Sequence, residues 1–182
     1  ITATGVLSDQ IQHIIVKKIA CAFVPQALRE FHTAPPLGFF FIIAKRKAIG
    51  YDGDFRDMAS SDNGNVIILL DKTPFYGEGG GQVGDTGVVT ASGAQIKVLD
   101  TKKNDGVYLH ICSLANGTLK VGDSVKAILD EVRRKAIMRA HSSCHLLQAA
   151  LRKVLGNHVE QAGSYVDNDH VRFDFTHFAA MT

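Results

Sequence analysis

Net charge, paired cysteines and long apolar runs are what this 182-residue sequence has little of. The formal charge is only +2 at pH 7. Composition therefore supplies no strong field for a polyanion, and any nucleic-acid contact has to be local. The three cysteines (Cys21, Cys112 and Cys144) stand far apart with no Cys-x-x-Cys spacing, which argues against a disulfide framework and suits a reducing, cytoplasmic compartment. No window is long and apolar enough to span a bilayer. The apolar run Leu37–Ala44 is followed, not preceded, by Lys45-Arg46-Lys47, the wrong order for a signal peptide. A hydrophobic content of 46% and a charged content of 21% are those of a globular protein. The chain starts at Ile1 and stops at Thr182 just after a strand-like segment, so a fragment is expected.

The most legible segment is Arg133–Leu155, RRKAIMRAHSSCHLLQAALRKVL. Asp130 can cap a helix N-terminus, Glu131 suits the first turn, and Gly156 stands where a C-terminal cap glycine belongs. Ile137, Cys144, Leu147, Leu151 and Val154 recur at helical spacing and are expected to be the buried stripe. His141 and His145, four residues apart, fall on one face of that helix. Two imidazoles so placed can share one metal ion, or can be a purely structural pair. Ser142 follows His141, so the zinc-protease pattern, which needs a Glu there as base, is absent.

Upstream, Ile11–Ala22 reads as a short amphipathic helix, Leu37–Ala44 as a strand or an appendage, and Tyr51–Gly64 as loop. Short strands are then expected at Val66–Leu70, Gly87–Thr90, Ala94–Asp100, Val107–Cys112 and Ser124–Leu129. Turn residues separate them: Ser92-Gly93, Asn104-Asp105-Gly106, Asn116-Gly117 and Gly122-Asp123. That pattern points to a small antiparallel β-barrel of the translation-factor-like kind. Between the first two strands lies TPFYGEGGGQVGDTG, whose successive glycines Gly79, Gly80 and Gly81 are entropically costly. They serve either a loop that meets a ligand's phosphate or ribose, or a tight connection; no Gly-Lys-Ser/Thr follows, so this is not a P-loop. After the helix, Val159–Val166, a turn at Asp167-Asn168-Asp169, and the alternating His170–Phe175 read as a β-hairpin packed on the helix. The expected fold class is α+β, with residues 1–48 unassigned, 49–130 a glycine-rich barrel subdomain and 131–182 a helix-plus-hairpin core.

Three segments in this order, TPFYGEGGGQVGDTG, RRKAIMRAHSSCHLLQAALRKVLG and HVEQAGSYVDNDHVRFDFTHF, resemble the editing domain of alanyl-tRNA synthetase. They are also similar to the free-standing alanyl-tRNA editing proteins. The resemblance runs from about Gly50 to Thr182. It implies part of an alanine–tRNA ligase that hydrolyses tRNA(Ala) mischarged with serine or glycine, with Zn²⁺ as cofactor. His141 and His145 match the family's His-x-x-x-His ligands; its Cys-x-x-x-His pair would fall beyond Thr182, so the ligand set is expected to be incomplete and activity impaired. Gln161 matches a glutamine lining the amino-acid pocket. Cys144 stands where the family often has a threonine whose hydroxyl recognises serine; a thiol is the weaker hydrogen-bonding group, and packing is its other reading. Gly79, Gly80, Gly81 and Gln82 match a motif that approaches the tRNA 3′ end, and Arg133 and Arg134 are candidate phosphate contacts or a solvated face.

The resemblance makes the tRNA(Ala) acceptor end the partner, with neither DNA nor membrane, and ATP a ligand only of a full-length parent. Two rival functions remain: a non-catalytic module that binds the acceptor end, and a structural domain with a packed histidine pair.

Overall fold

The computed structural model describes residues 41–51, 54–56, 58–60, 65–91 and 93–179. The expected helix at Ile11–Ala22 and the first residues of the 37–44 run lie outside them. Among the described residues, eleven strands and one helix follow in order: β1 (Phe41–Tyr51), β2 (Asp54–Arg56), β3 (Met58–Ser60), β4 (Asn65–Leu70), β5 (Gly87–Ala91), β6 (Ala94–Asn104), β7 (Val107–Asn116), β8 (Thr118–Lys120), β9 (Ser124–Leu129), α1 (Glu131–Leu155), β10 (Gln161–Val166) and β11 (Val171–Phe175). The class is α+β: a seven-stranded antiparallel sheet in the order β2-β1-β4-β7-β6-β5-β9, one helix, and a hairpin. The β1 strand pairs with β4 through Arg46–Gly50 and with β9 through Phe41–Lys45. It runs straight across the division placed at residue 48 and brings the sheet's first described residue to Phe41.

The five expected strands are all present, because alternating runs fit strands with one buried face and continuous apolar runs fit strands covered on both. On β9, Val125, Ala127 and Leu129 are buried while Ser124, Lys126 and Ile128 are exposed. The β4 and β7 strands are buried nearly throughout and form the centre of the sheet. Their core includes Ile68, Leu70, Phe75, Ile96, Val98, Leu114 and Leu119. Turns close where glycine permits: Asp105 and Gly106 (φ 48° and 82°) join β6 to β7 with Asn104 opposite Val107, the positive-φ pair that a two-residue hairpin favours. The Tyr51–Gly64 stretch differs from expectation. It contains β2 and β3, which pair with β1 and β8, so tertiary pairing overrides a composition that reads as loop.

A register shift between Val98 and Asp100 against Cys112 and Ile111 leaves Leu99 as a bulge on β6. The bulge inverts the alternation, so Thr101 is buried beside the glycine-rich segment. In α1, Asp130 caps the N-terminus, its Oδ1 accepting from the Arg133 N–H at 3.0 Å, and Gly156 (φ 115°) ends it with its N–H on Arg152 O at 3.1 Å. Ile137 and Cys144 are buried against Val166, Val83, Val171 and Phe173. The rest of the expected stripe is not buried to match: Leu147 is exposed and Val154 is 79% exposed, because the hairpin packs only on the first half of the helix face. No helix among the described residues is long and apolar enough to cross a membrane.

Candidate functional site

The glycine-rich segment folds as a two-residue turn. Gly79 and Gln82 exchange backbone hydrogen bonds (Gln82 N–H to Gly79 O, 3.0 Å; Gly79 N–H to Gln82 O, 3.1 Å), with Gly80 at φ 58° and Gly81 at φ 80° between them. L-residues resist two successive positive φ values, which is why glycines occupy both positions. The turn is then sewn to the hairpin: Val166 N–H donates to Gly81 O at 2.8 Å and Val83 N–H to Val166 O at 3.1 Å. A Cβ on Gly81 would stand 2.4 Å from Ser164 O, so the third glycine is also needed for close approach. Among the described residues, the Gly80 and Gly81 N–H groups have no acceptor. The exposed Tyr76 braces the turn, its hydroxyl donating to Gly79 O at 3.0 Å.

This segment lies against α1. His141 and His145 share a face, with ring centroids 5.1 Å apart and planes tilted by 47°. Gln82 rises from the turn to meet the first of them: its Oε1 accepts from the His141 Nδ1–H at 2.8 Å. Gln82 is buried, His141 half-buried and His145 exposed. The structure therefore joins three sequence-predicted residues and gives Gln82 a partner on the protein itself.

The remaining candidates fall into two groups. Gln161 lies at the start of β10, exposed, with its Nε2–H donating to Ser164 Oγ at 3.0 Å; Ser164 in turn packs on Gly81, so Gln161 borders the turn. Cys144 is buried. It sits in the apolar cluster with Ile137 and Val166, and burial pushes its thiol up, so it stays a neutral thiol. Both arginines bond to the glycine-rich loop. Arg134 forms a forked ion pair with the buried Asp85, its Nε 2.9 Å from both carboxylate oxygens and its Nη2 on Oδ2, and donates to Pro74 O at 3.2 Å. Arg133 donates through Nη1 to Gly84 O at 2.8 Å. The Asp130 cap starts the helix beside the loop and so brings both guanidiniums within reach of it; the Arg134 side chain is largely buried there.

Sequence reasoning missed Asp85. Its carboxylate accepts from Tyr76 N–H at 2.6 Å and from Arg134, and its carbonyl accepts from Thr101 Oγ1 at 3.0 Å. An aspartate between Gly84 and Thr86-Gly87, followed by an arginine pair on the next helix, was the available signal. Beside it, burial raises the Asp100 carboxyl, opposed by the Thr101 amide and Arg133. Lys102 bridges Asp100 at 3.0 Å and Glu78.

The sequence profile of the tRNA synthetases class II (A) matches residues 29–133, more than half of the chain. The chain belongs to that family. Among curated relatives, the alanine–tRNA ligase of Acetivibrio thermocellus is 60% identical over 119 residues, 65% of this chain and 14% of that protein. The alanine–tRNA ligase of Desulfitobacterium hafniense is 45% identical over 165 residues, 88% of this chain and 19% of that protein. That of Saccharophagus degradans is 48% identical over 134 residues, 74% and 15% respectively. The chain thus spans between 14% and 19% of the length of these relatives. The similarity reaches upstream of Gly50, where the sequence-level resemblance was expected to begin.

Proposed function

We propose that this chain is part of an alanine–tRNA ligase and contributes to the site that hydrolyses seryl- or glycyl-tRNA(Ala), with zinc as cofactor. A synthetic pocket shaped for alanine cannot exclude the smaller glycine and discriminates poorly against one added hydroxyl, so a second, hydrolytic site restores fidelity. The observation that carries the reading is the convergence of His141 and His145 beside the glycine-rich turn. Two imidazoles on one tetrahedral zinc, each nitrogen ~2.0–2.1 Å from the ion, have ring centres about 5 Å apart. The 5.1 Å separation here fits half of such a donor set. Among the described residues, no group of three or more His, Cys, Asp or Glu completes it. Further ligands would come from elsewhere in the ligase.

Zinc bound by this pair supplies Lewis acidity toward an ester carbonyl. The chain's own residues bind and orient. The Gly80 and Gly81 amides offer donors to the phosphate or ribose of the tRNA 3′ end. Gln161 borders the amino-acid side of the same turn. Arg133 keeps donors beyond its bond to Gly84 for a phosphate, whereas Arg134 holds the loop in place. The sheet, with β1 paired to both β4 and β9, is read as the small translation-factor-like barrel that presents the turn. The compartment is the cytoplasm, and ATP belongs to the parent's other chemistry.

The test is deacylation of seryl-tRNA(Ala) by a ligase carrying this segment. His141→Ala is expected to abolish it while alanine activation stays intact. Unchanged deacylation would overturn the reading. The incomplete ligand set favours one rival, a module that only binds the acceptor end: this chain would then retain a tRNA(Ala) microhelix on a filter but hold no zinc.

A further inference from the structure

The glycine-rich motif has a consequence for the helix that faces it. Gln82 has its backbone fixed on both sides: its N–H and C=O pair with Gly79 across the turn, and the next residue, Val83, is bonded to Val166. The residue is 8% exposed, and its side chain reaches across 59 residues of sequence to His141 Nδ1. The geometry points to Gln82 as the positioning residue of His141: by accepting the Nδ1–H it fixes the imidazole as the Nδ1–H tautomer and leaves the Nε2 lone pair free for a ligand.

Several facts make this more than a chance contact. An imidazole has two inequivalent nitrogens, and the partner of one decides what the other can do. A free imidazole favours the Nε2–H form, which would present a proton, not a lone pair, at the outer nitrogen. Histidine ligands of metals are held in the opposite state by an acceptor on the far nitrogen, most often a carboxylate or a carbonyl, and an amide oxygen is an equivalent acceptor. The turn supplies that oxygen at a set position. The positive φ of Gly80 and Gly81 reverses the chain in two residues, and the bare Cα of Gly81 lets the turn close onto Ser164. The two clearest motifs in the sequence are therefore parts of one device: the glycines place Gln82, and Gln82 sets the histidine. As far as it concerns metal binding, this rests on the zinc reading above; the tautomer does not depend on it.

The experiment uses the metal-free 182-residue chain in mildly alkaline buffer. Long-range ¹H–¹⁵N correlation spectra, assigned with a His141→Gln control, are expected to show His141 as the Nδ1–H tautomer. Gln82→Met, similar in length but without an acceptor, is expected to return His141 to a mainly Nε2–H form. Gln82→Glu, which keeps an acceptor oxygen, is expected to restore Nδ1–H. Titration with Co²⁺ alone, followed by its visible absorption, is expected to give an affinity about 10- to 100-fold weaker in Gln82→Met than in wild type, the range that loss of such a partner produces at known metal sites. Circular dichroism identifies a variant that has not folded, and the Glu variant then decides. An Nε2–H tautomer in the wild type would overturn the inference, as would a tautomer that Gln82→Met leaves unchanged. If the tautomer responds but Co²⁺ does not bind, the positioning role stands and the two histidines of this chain do not hold a metal on their own.

Discussion

Cys144 shows how one residue's surroundings decide its chemistry. It lies directly before His145 in sequence, yet it is turned into the cluster of Ile137, Val166 and Val83, away from the imidazole face. Burial raises its thiol above the ordinary value. The raised value means the thiolate, the reactive form, is suppressed at neutral pH and gains only as pH rises past the range of a free cysteine. Native alkylation with iodoacetamide, mapped by mass spectrometry, should label Cys144 far more slowly than a thiol in a short peptide, and urea should abolish the difference. Rapid native labelling would contradict the packing role. The helical stripe read from the sequence contained this answer, since Ile137 and Cys144 are seven residues apart and both are buried. The stripe did not show that burial would stop short of Val154, because that depends on how far β10 and β11 reach along the helix.

At the scale of elements, the turn between Gly79 and Gln82 separates two effects that sequence cannot. Gly80 and Gly81 both have positive φ, but a Cβ on Gly80 meets nothing within 4 Å, whereas one on Gly81 meets the Ser164 backbone. Gly80→Ala should therefore cost only the left-handed strain, ~1–2 kcal/mol. Gly81→Ala should cost more than that, because β10 has to move as well. Thermal unfolding of the two variants checks the order, and faster hydrogen exchange of the Val166 amide should accompany the second alone. Equal destabilisation would show that the close approach does not matter. Local signals of this kind were legible: Asp130 and Gly156 as caps, Asp105-Gly106 as a hairpin turn, the alternation of β11. The β2 and β3 strands were not, since three-residue strands rich in Asp and Ser owe their form to β1 and β8. Nor was the bulge at Leu99, which leaves no trace in composition. The contact between Gln82 and His141 joins two motifs that were each visible, but pairing across 59 residues has no periodic signature.

For the molecule as a whole, Asp85 ties three parts together: the glycine-rich segment through Tyr76, the sheet through Thr101, and α1 through Arg134. Asp85 is 1% exposed, so removing its counter-charge would strand a buried carboxylate. Arg134→Ala should destabilise the fold by about 3–5 kcal/mol. Asp85→Leu combined with Arg134→Met should recover much of that loss, which urea unfolding of the single and double variants would measure. A single variant within the error of wild type would refute this account. The family relationship shows what the chain is part of; the ion pair shows why the turn and the helix keep one relative placement while Gln82 spans between them.

The brevity of the Gly79–Gln82 reversal sets a rule about insertions and deletions. Gln82 is the first residue beyond the turn, and Val83 is already committed to Val166. Adding or deleting one residue here would turn the glutamine to the opposite side of the backbone, since successive side chains alternate. A Cβ at Gly106 or Gly122 would find open space, so those turns leave more room around them for added residues. Variation in chain length should therefore gather at those outer turns and leave this one at a fixed count.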